Sequence, residues 1–206
     1  MLSIIIVLIT CLTSYMAFND ERLRQKLLFS PYAIKRTGEY YRFISSGFIH
    51  GDWIHLLFNM YVLYEFGNVV ENAYTAYFGS MANLYFLALY FGGMIIAQIY
   101  SYYKHQDNSY YAALGASGAV ASIVFSFIAF APLAPLTFVF FPFIQFPAIV
   151  LGLLYLAYSY YASINANDNI GHDAHFYGAV FGFLFTISLE PQIAVGFFRQ
   201  LLSIGS

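Results

Sequence analysis

The chain has 206 residues, of which 61% are apolar, 21% aromatic and only 9% charged, with a net charge of −2. A charged share about a third of the soluble-domain norm cannot cover a water-soluble globule of this size. Abundant burial-prone residues exclude intrinsic disorder, and eight Lys and Arg against ten acids exclude a strong nucleic-acid binder.

The composition points to an integral membrane protein whose surroundings are the lipid bilayer. Crossing its hydrocarbon core takes about 20 residues, with a range of about 17–25. The first apolar run is 2–18. It lacks a basic leader and a good cleavage site, so it reads as a retained span rather than a signal peptide. A polar stretch over 19–51 follows and holds six of the eight basic residues, Arg22, Arg24, Lys26, Lys35, Arg36 and Arg42. The second run is 53–70 and the third 83–103. After a polar break at 104–109 comes a fourth, 114–131, closed by Pro132 and Pro135 because proline removes a donor and clashes with the preceding turn. The apolar piece 138–143 is too short to span. Pro147 opens a fifth run to Ser163, and the sixth is 174–189, ended by Glu190 and Pro191. The remainder, 192–206, reads as a short interfacial segment. The expected fold is therefore an all-α membrane protein, a six-transmembrane-helix bundle forming one domain over 1–206. No long alternating strands point to a membrane β-barrel, and no repeat has a solenoid or transporter period. Cys11 stands alone, so no intrachain disulfide forms.

Polar groups inside spans are expensive, so each is a candidate for function. His55 and Asn59, four apart, share one face of the second helix. Ser117 lies between Gly115 and Gly118 at the start of the fourth, and His175 at the start of the sixth. Even-numbered helices of a six-span chain run the same way, so these sites meet at one membrane face. A serine hydroxyl becomes a useful nucleophile when a base takes its proton, and His175 is the natural base. His55, the Asn59 amide and the Ser117 backbone N–H can stabilise an oxyanion. Gly178 and Gly182 form a small-residue stripe that lets two helices approach closely. Each residue alone has a plainer reading: a serine bonded to its own i−4 carbonyl, a packed histidine, a packing stripe. Their convergence favours acyl transfer. A zinc protease would need His-Glu-x-x-His, which is absent, and His172 with His175 has no carboxylate in a span nearby except Glu65 on another helix. An aspartyl protease would need two Asp in spans, and a transporter would want paired charges at the midplane.

These residues resemble the rhomboid intramembrane serine proteases. Gly38-Glu39-Tyr40-Tyr41-Arg42 is similar to a loop signature that usually reads Trp-Arg, with Tyr41 in place of Trp. Phe48-Ile49-His50 and His55-Leu56-Leu57-Phe58-Asn59 resemble the second-helix motif, and Gly67 to Glu71 with Gly79-Ser80 the end of that helix and its turn. Gly115-Ala116-Ser117-Gly118 resembles the nucleophile motif, and His175-x-x-Gly178-x-x-x-Gly182 the sixth-helix motif. The resemblance implies a Ser117–His175 dyad with no third acid, His55 and Asn59 on the oxyanion, and no cofactor or metal. It implies single-span membrane proteins as substrates, and the fifth helix with the 165–171 loop as a gate. An alternative from the same family is a catalytically silent relative that binds and sorts membrane clients. Ala121 departs from the pattern, since some bacterial members carry there an aromatic that stacks on the histidine. The resemblance also implies a cell (inner) membrane and an active site facing away from the cytoplasm. That puts the basic 19–51 loop outside, against the positive-inside rule.

Overall fold

The computed structural model describes residues 1–138, 141–165 and 171–203. Helices α1 (Leu2–Asn19), α5 (Trp53–Phe78), α6 (Ala82–His105), α7 (Ser117–Phe130), α8 (Ala148–Asn165) and α9 (His172–Leu189) fall on the six apolar runs. Three short helices, α2 (Glu21–Leu27), α3 (Pro31–Thr37) and α4 (Arg42–Ser45), occupy the basic stretch, and α10 (Pro191–Leu202) follows α9 at a bend of 112°. By length and apolarity, α1, the Trp53–His105 stretch and α8 can each cross a bilayer, and α9 joined to α10 would be a fourth. At 14 residues, α7 is too short. The six expected spans are thus matched as helices, but not all as full-length crossings.

The all-α expectation needs one correction. Strands β1 (Pro135–Phe138) and β2 (Phe141–Pro147) pair antiparallel, with Leu136 opposite Phe146 and Thr137 opposite Gln145. Prolines at 132, 135, 142 and 147 deny this stretch helical hydrogen bonds, while its Phe and Thr side chains suit extended backbone. Pro147 accordingly ends β2 rather than opening α8.

The short helix α7 is the hub. Eleven of its 14 residues are buried, and it packs against α5, α6 and α9. Outward-facing apolar side chains, such as Leu8 on α1, Leu57 on α5, Leu84 on α6 and Leu153 on α8, are exposed. That is the inverse of a soluble helix and suits lipid. In lipid, helices associate by close packing and interhelical hydrogen bonds rather than by hydrophobic burial. Both devices join α7 to α9. A Cβ added at Gly178 would run into the Gly118 carbonyl, and one at Gly182 into the Ser122 carbonyl. One turn beyond, Thr186 donates to Ser126 (2.7 Å) and lies 3.1 Å from the Tyr74 hydroxyl, tying α9, α7 and α5 together. One turn from Tyr74 on α5, Glu71 accepts the N–H groups of Leu2 and Ser3, each at 2.7 Å. A carboxylate thus caps the open N-terminus of α1 from a distant helix.

The seam makes a measurable demand. Gly178→Ala puts a methyl group against backbone that can yield only by separating α7 from α9, so it should destabilise the protein by about 1–3 kcal/mol. Gly196→Ala on α10, with open space around the added carbon, should be neutral or slightly stabilising. Thermal unfolding in detergent compares the two, and equal behaviour would contradict a backbone-tight seam.

Candidate active site

Ser117 is the first residue of α7. The helix starts three residues later than the apolar run suggested, because the backbone of 113–116 is bonded elsewhere. Phe29 and Ala113 exchange both of their hydrogen bonds (2.9 and 3.0 Å), and the Gly115 N–H donates to the Ser46 carbonyl at 2.9 Å. Gly115 sits at φ +116°, where L side chains are strained, and a Cβ there would meet the His55 ring. The N–H groups of the first turn of α7 have no intrahelical acceptor and carry the positive end of the helix dipole.

The last backbone donor before the serine, Ala116 N–H, goes to His50 Nε2 at 3.3 Å. That assigns the other ring nitrogen as the proton carrier. His50 Nδ1–H donates to Ser14 Oγ (3.0 Å), and Ser14 donates onward to the Phe48 carbonyl (3.1 Å). His50 is fully buried, and burial above all, helped by His55 and opposed by Asp52, pushes its pKa down to about 3. Sequence reasoning left His50 without a role. Its presence in a motif string was the available signal. Arg42 supports the same frame: it pairs with Glu39 and donates to the Gln25 and Leu28 carbonyls (2.9 and 2.8 Å) at the end of α2.

The α7–α9 seam brings His175, the fourth residue of α9, to Ser117. Its Nε2 lies 2.8 Å from Ser117 Oγ. The nearby carboxylate of Asp173 accepts a hydrogen bond from Ser101 of α6 (2.7 Å), and among the described residues no carboxylate bonds the His175 ring. His172 meets His175 edge-on, with ring centroids 6.0 Å apart. On α5, Asp52 caps the helix by accepting the His55 N–H at 2.8 Å. Asn59, buried, donates one amide hydrogen to the His55 carbonyl at 2.9 Å, and the amide has a second to offer. His55, Asn59, Ser117 and His175 all line one open cavity of about 1320 Å³. The four sequence candidates therefore converge. Among the described residues, no three His, Cys, Asp or Glu side chains assemble as a metal site. Of the 165–171 loop, residues 166–170 lie outside the described residues.

Such an arrangement can move a proton from a hydroxyl to an imidazole beside several uncommitted N–H donors. A family model described as the Rhomboid domain matches residues 37–192, so the chain belongs to the rhomboid family. A comparison with curated proteins found no match.

The His50 frame predicts acid lability. In the unfolded chain this histidine titrates near 6.5, but in the folded chain only near 3. The unfolded state therefore takes the proton first. The stability that His50 contributes is complete above about pH 6.5 and is lost as pH falls toward about 3. Unfolding midpoints in detergent should drop across that window, and His50→Gln should flatten the drop. An identical profile in the variant would show that His50 is not the acid-sensitive group.

Proposed function

We propose that this member of the rhomboid family is an intramembrane serine protease that hydrolyses peptide bonds in or next to the transmembrane segments of single-span membrane proteins. The observation that carries the reading is the 2.8 Å contact between Ser117 Oγ and His175 Nε2, set in an open cavity shared with His55 and Asn59. Such geometry, nucleophile and base within hydrogen-bond reach, is what activates a serine.

In this reading the Ser117 Oγ attacks the scissile carbonyl carbon while its proton passes to His175 Nε2. The carbonyl oxygen becomes an oxyanion facing the Ser117 N–H, the His55 ring and the Asn59 amide, and losing one such donor costs about 2.7–4 kcal/mol. His175 then gives the proton to the departing amide nitrogen, and the C–N bond breaks. Water, deprotonated by His175, attacks the acyl-enzyme ester, and the proton returns to Ser117. Water reaches the site through the cavity, which is also where non-helical backbone such as 113–116 is tolerated at membrane depth. The walls of the cavity include Phe58, Val62, Leu151 and Leu154, apolar surface suited to an apolar, extended substrate segment. A silent client-binding relative would use the same cavity but leaves the dyad contact without a purpose.

The test is cleavage of a reconstituted single-span substrate. Wild type should cleave, and Ser117→Ala should lose about four orders of magnitude or more while staying folded. A fluorophosphonate probe should label wild type and neither Ser117→Ala nor His175→Ala. Equal cleavage by the serine variant would sink the mechanism. The same reading places the protein in the cell (inner) membrane with the site facing away from the cytoplasm. A reporter fused after Ser206 should then lie on the cytoplasmic side, and the opposite result would favour the orientation set by the basic 19–51 segment.

A further inference from the structure

The position four residues beyond Ser117 is Ala121, so α7 offers no ring to the His175 imidazole. A ring is supplied from elsewhere. Tyr155 of α8 lies nearly parallel to it, at 22°, with centroids 6.1 Å apart. That separation and tilt fall within the offset-stacked range favoured by aromatic pairs. The contact is part of a matched set. α8 and α9 are consecutive helices in packing contact, and Tyr158, one turn from Tyr155, meets His172 edge-on with centroids 5.6 Å apart. Two tyrosines three apart on α8 thus face two histidines three apart on α9, pair by pair. From the α7 side, Phe125, itself buried, meets the Tyr155 ring at 6.0 Å. Gly152, one turn earlier on α8, lies so close to Ile128 of α7 that an added Cβ would collide.

We infer that Tyr155 is the positioning residue for His175, so that α8, rather than the nucleophile's own helix, completes the dyad. This rests on the protease reading above. An imidazole bonded at one nitrogen can still rotate about that bond, and a stacked ring restricts the rotation and keeps Nε2 aimed at Ser117. The ring also lies beside the imidazolium that forms when His175 takes the serine proton, at the outer edge of cation–π attraction. Neither effect needs the phenol hydroxyl. Both depend on α8 being seated, because the ring travels with that helix.

The experiment compares wild type, Tyr155→Phe and Tyr155→Leu in the reconstituted cleavage assay, with fluorophosphonate labelling rates as a second readout. Tyr155→Leu should lower kcat and the labelling rate by about fivefold to tenfold with KM little changed, and Tyr155→Phe should restore most of both. If the leucine variant does not fold, Tyr155→Met, which fills irregular gaps without a ring, carries the same expectation. A non-aromatic variant that matches wild type overturns the inference. So does a loss confined to KM, which would make Tyr155 a substrate contact, or an equal loss in Tyr155→Phe, which would make the hydroxyl the active part. A wild type that neither cleaves nor labels overturns the protease reading and this inference with it. An active wild type alongside an equally active leucine variant overturns the inference alone.

Discussion

The backbone contact between α7 and α9 is the constraint on which the rest of the molecule turns. In a bilayer, two helices gain nothing by hiding apolar side chains from lipid, so they must fit closely or hydrogen-bond. Here Gly178 and Gly182 present bare backbone to the carbonyls of Gly118 and Ser122, and the Thr186–Ser126–Tyr74 hydroxyls lock the next turn. Since Ser117 immediately precedes Gly118 and His175 lies one turn before Gly178, the same contact that holds the helices together also sets the distance between the two side chains. A methyl group added to this seam would push α7 and α9 apart and so lengthen and weaken the Ser117–His175 hydrogen bond. Stability and geometry at this site are one property, not two.

The segment between α1 and α5 acts as a rigid frame for the residues that deliver Ser117. Within it Asp20 caps the start of α2, Arg42 its end, and Ser30 the start of α3, and it reaches the 113–116 backbone at three separate points, Phe29, Ser46 and His50. Charge is spent locally in this frame. Arg24 pairs with Glu21, Arg42 with Glu39, and Lys35 reaches Asp107 in the turn after α6. The frame itself leans on α1, through Ser14 and the His50 ring. A helix outside the family-matched range therefore bears on the backbone one residue before the candidate nucleophile.

What could be read from the chain alone follows from scarcity. Ser117, His175, His55 and Asn59 stood out because polar groups within apolar runs are few, and helix direction alone placed them on one face. His50 was harder to read because it lies in a polar stretch where a histidine is unexceptional. Its meaning depends on Ala116, 66 residues away, and Ser14, 36 away. Tyr155 is one of 20 tyrosines, and nothing local distinguishes it from the others that face lipid. Leu114-Gly115-Ala116 reads as apolar helix, whereas long-range backbone bonds and the positive φ of Gly115 pull it out of α7. The hairpin is legible in the sequence as an interruption but not as strands, since proline says where a helix cannot be and leaves the alternative open.

The structure divides into a part that holds the site and a part that completes it. α5, α7, α9 and the 19–51 frame are joined by backbone contacts, buried hydroxyls and long-range caps, and their removal from one another would expose polar groups that lipid cannot satisfy. α8 is built differently. Its buried positions are only Ala148, Gly152, Ser159 and Ala162, a narrow edge of small residues, and its remaining faces carry large exposed side chains such as Leu153, Leu154, Tyr160 and Tyr161. Elements with few buried contacts open at lower free energy than the core they rest on. The helix whose Tyr155 ring faces His175 is therefore held less firmly than α7, the hub it rests on.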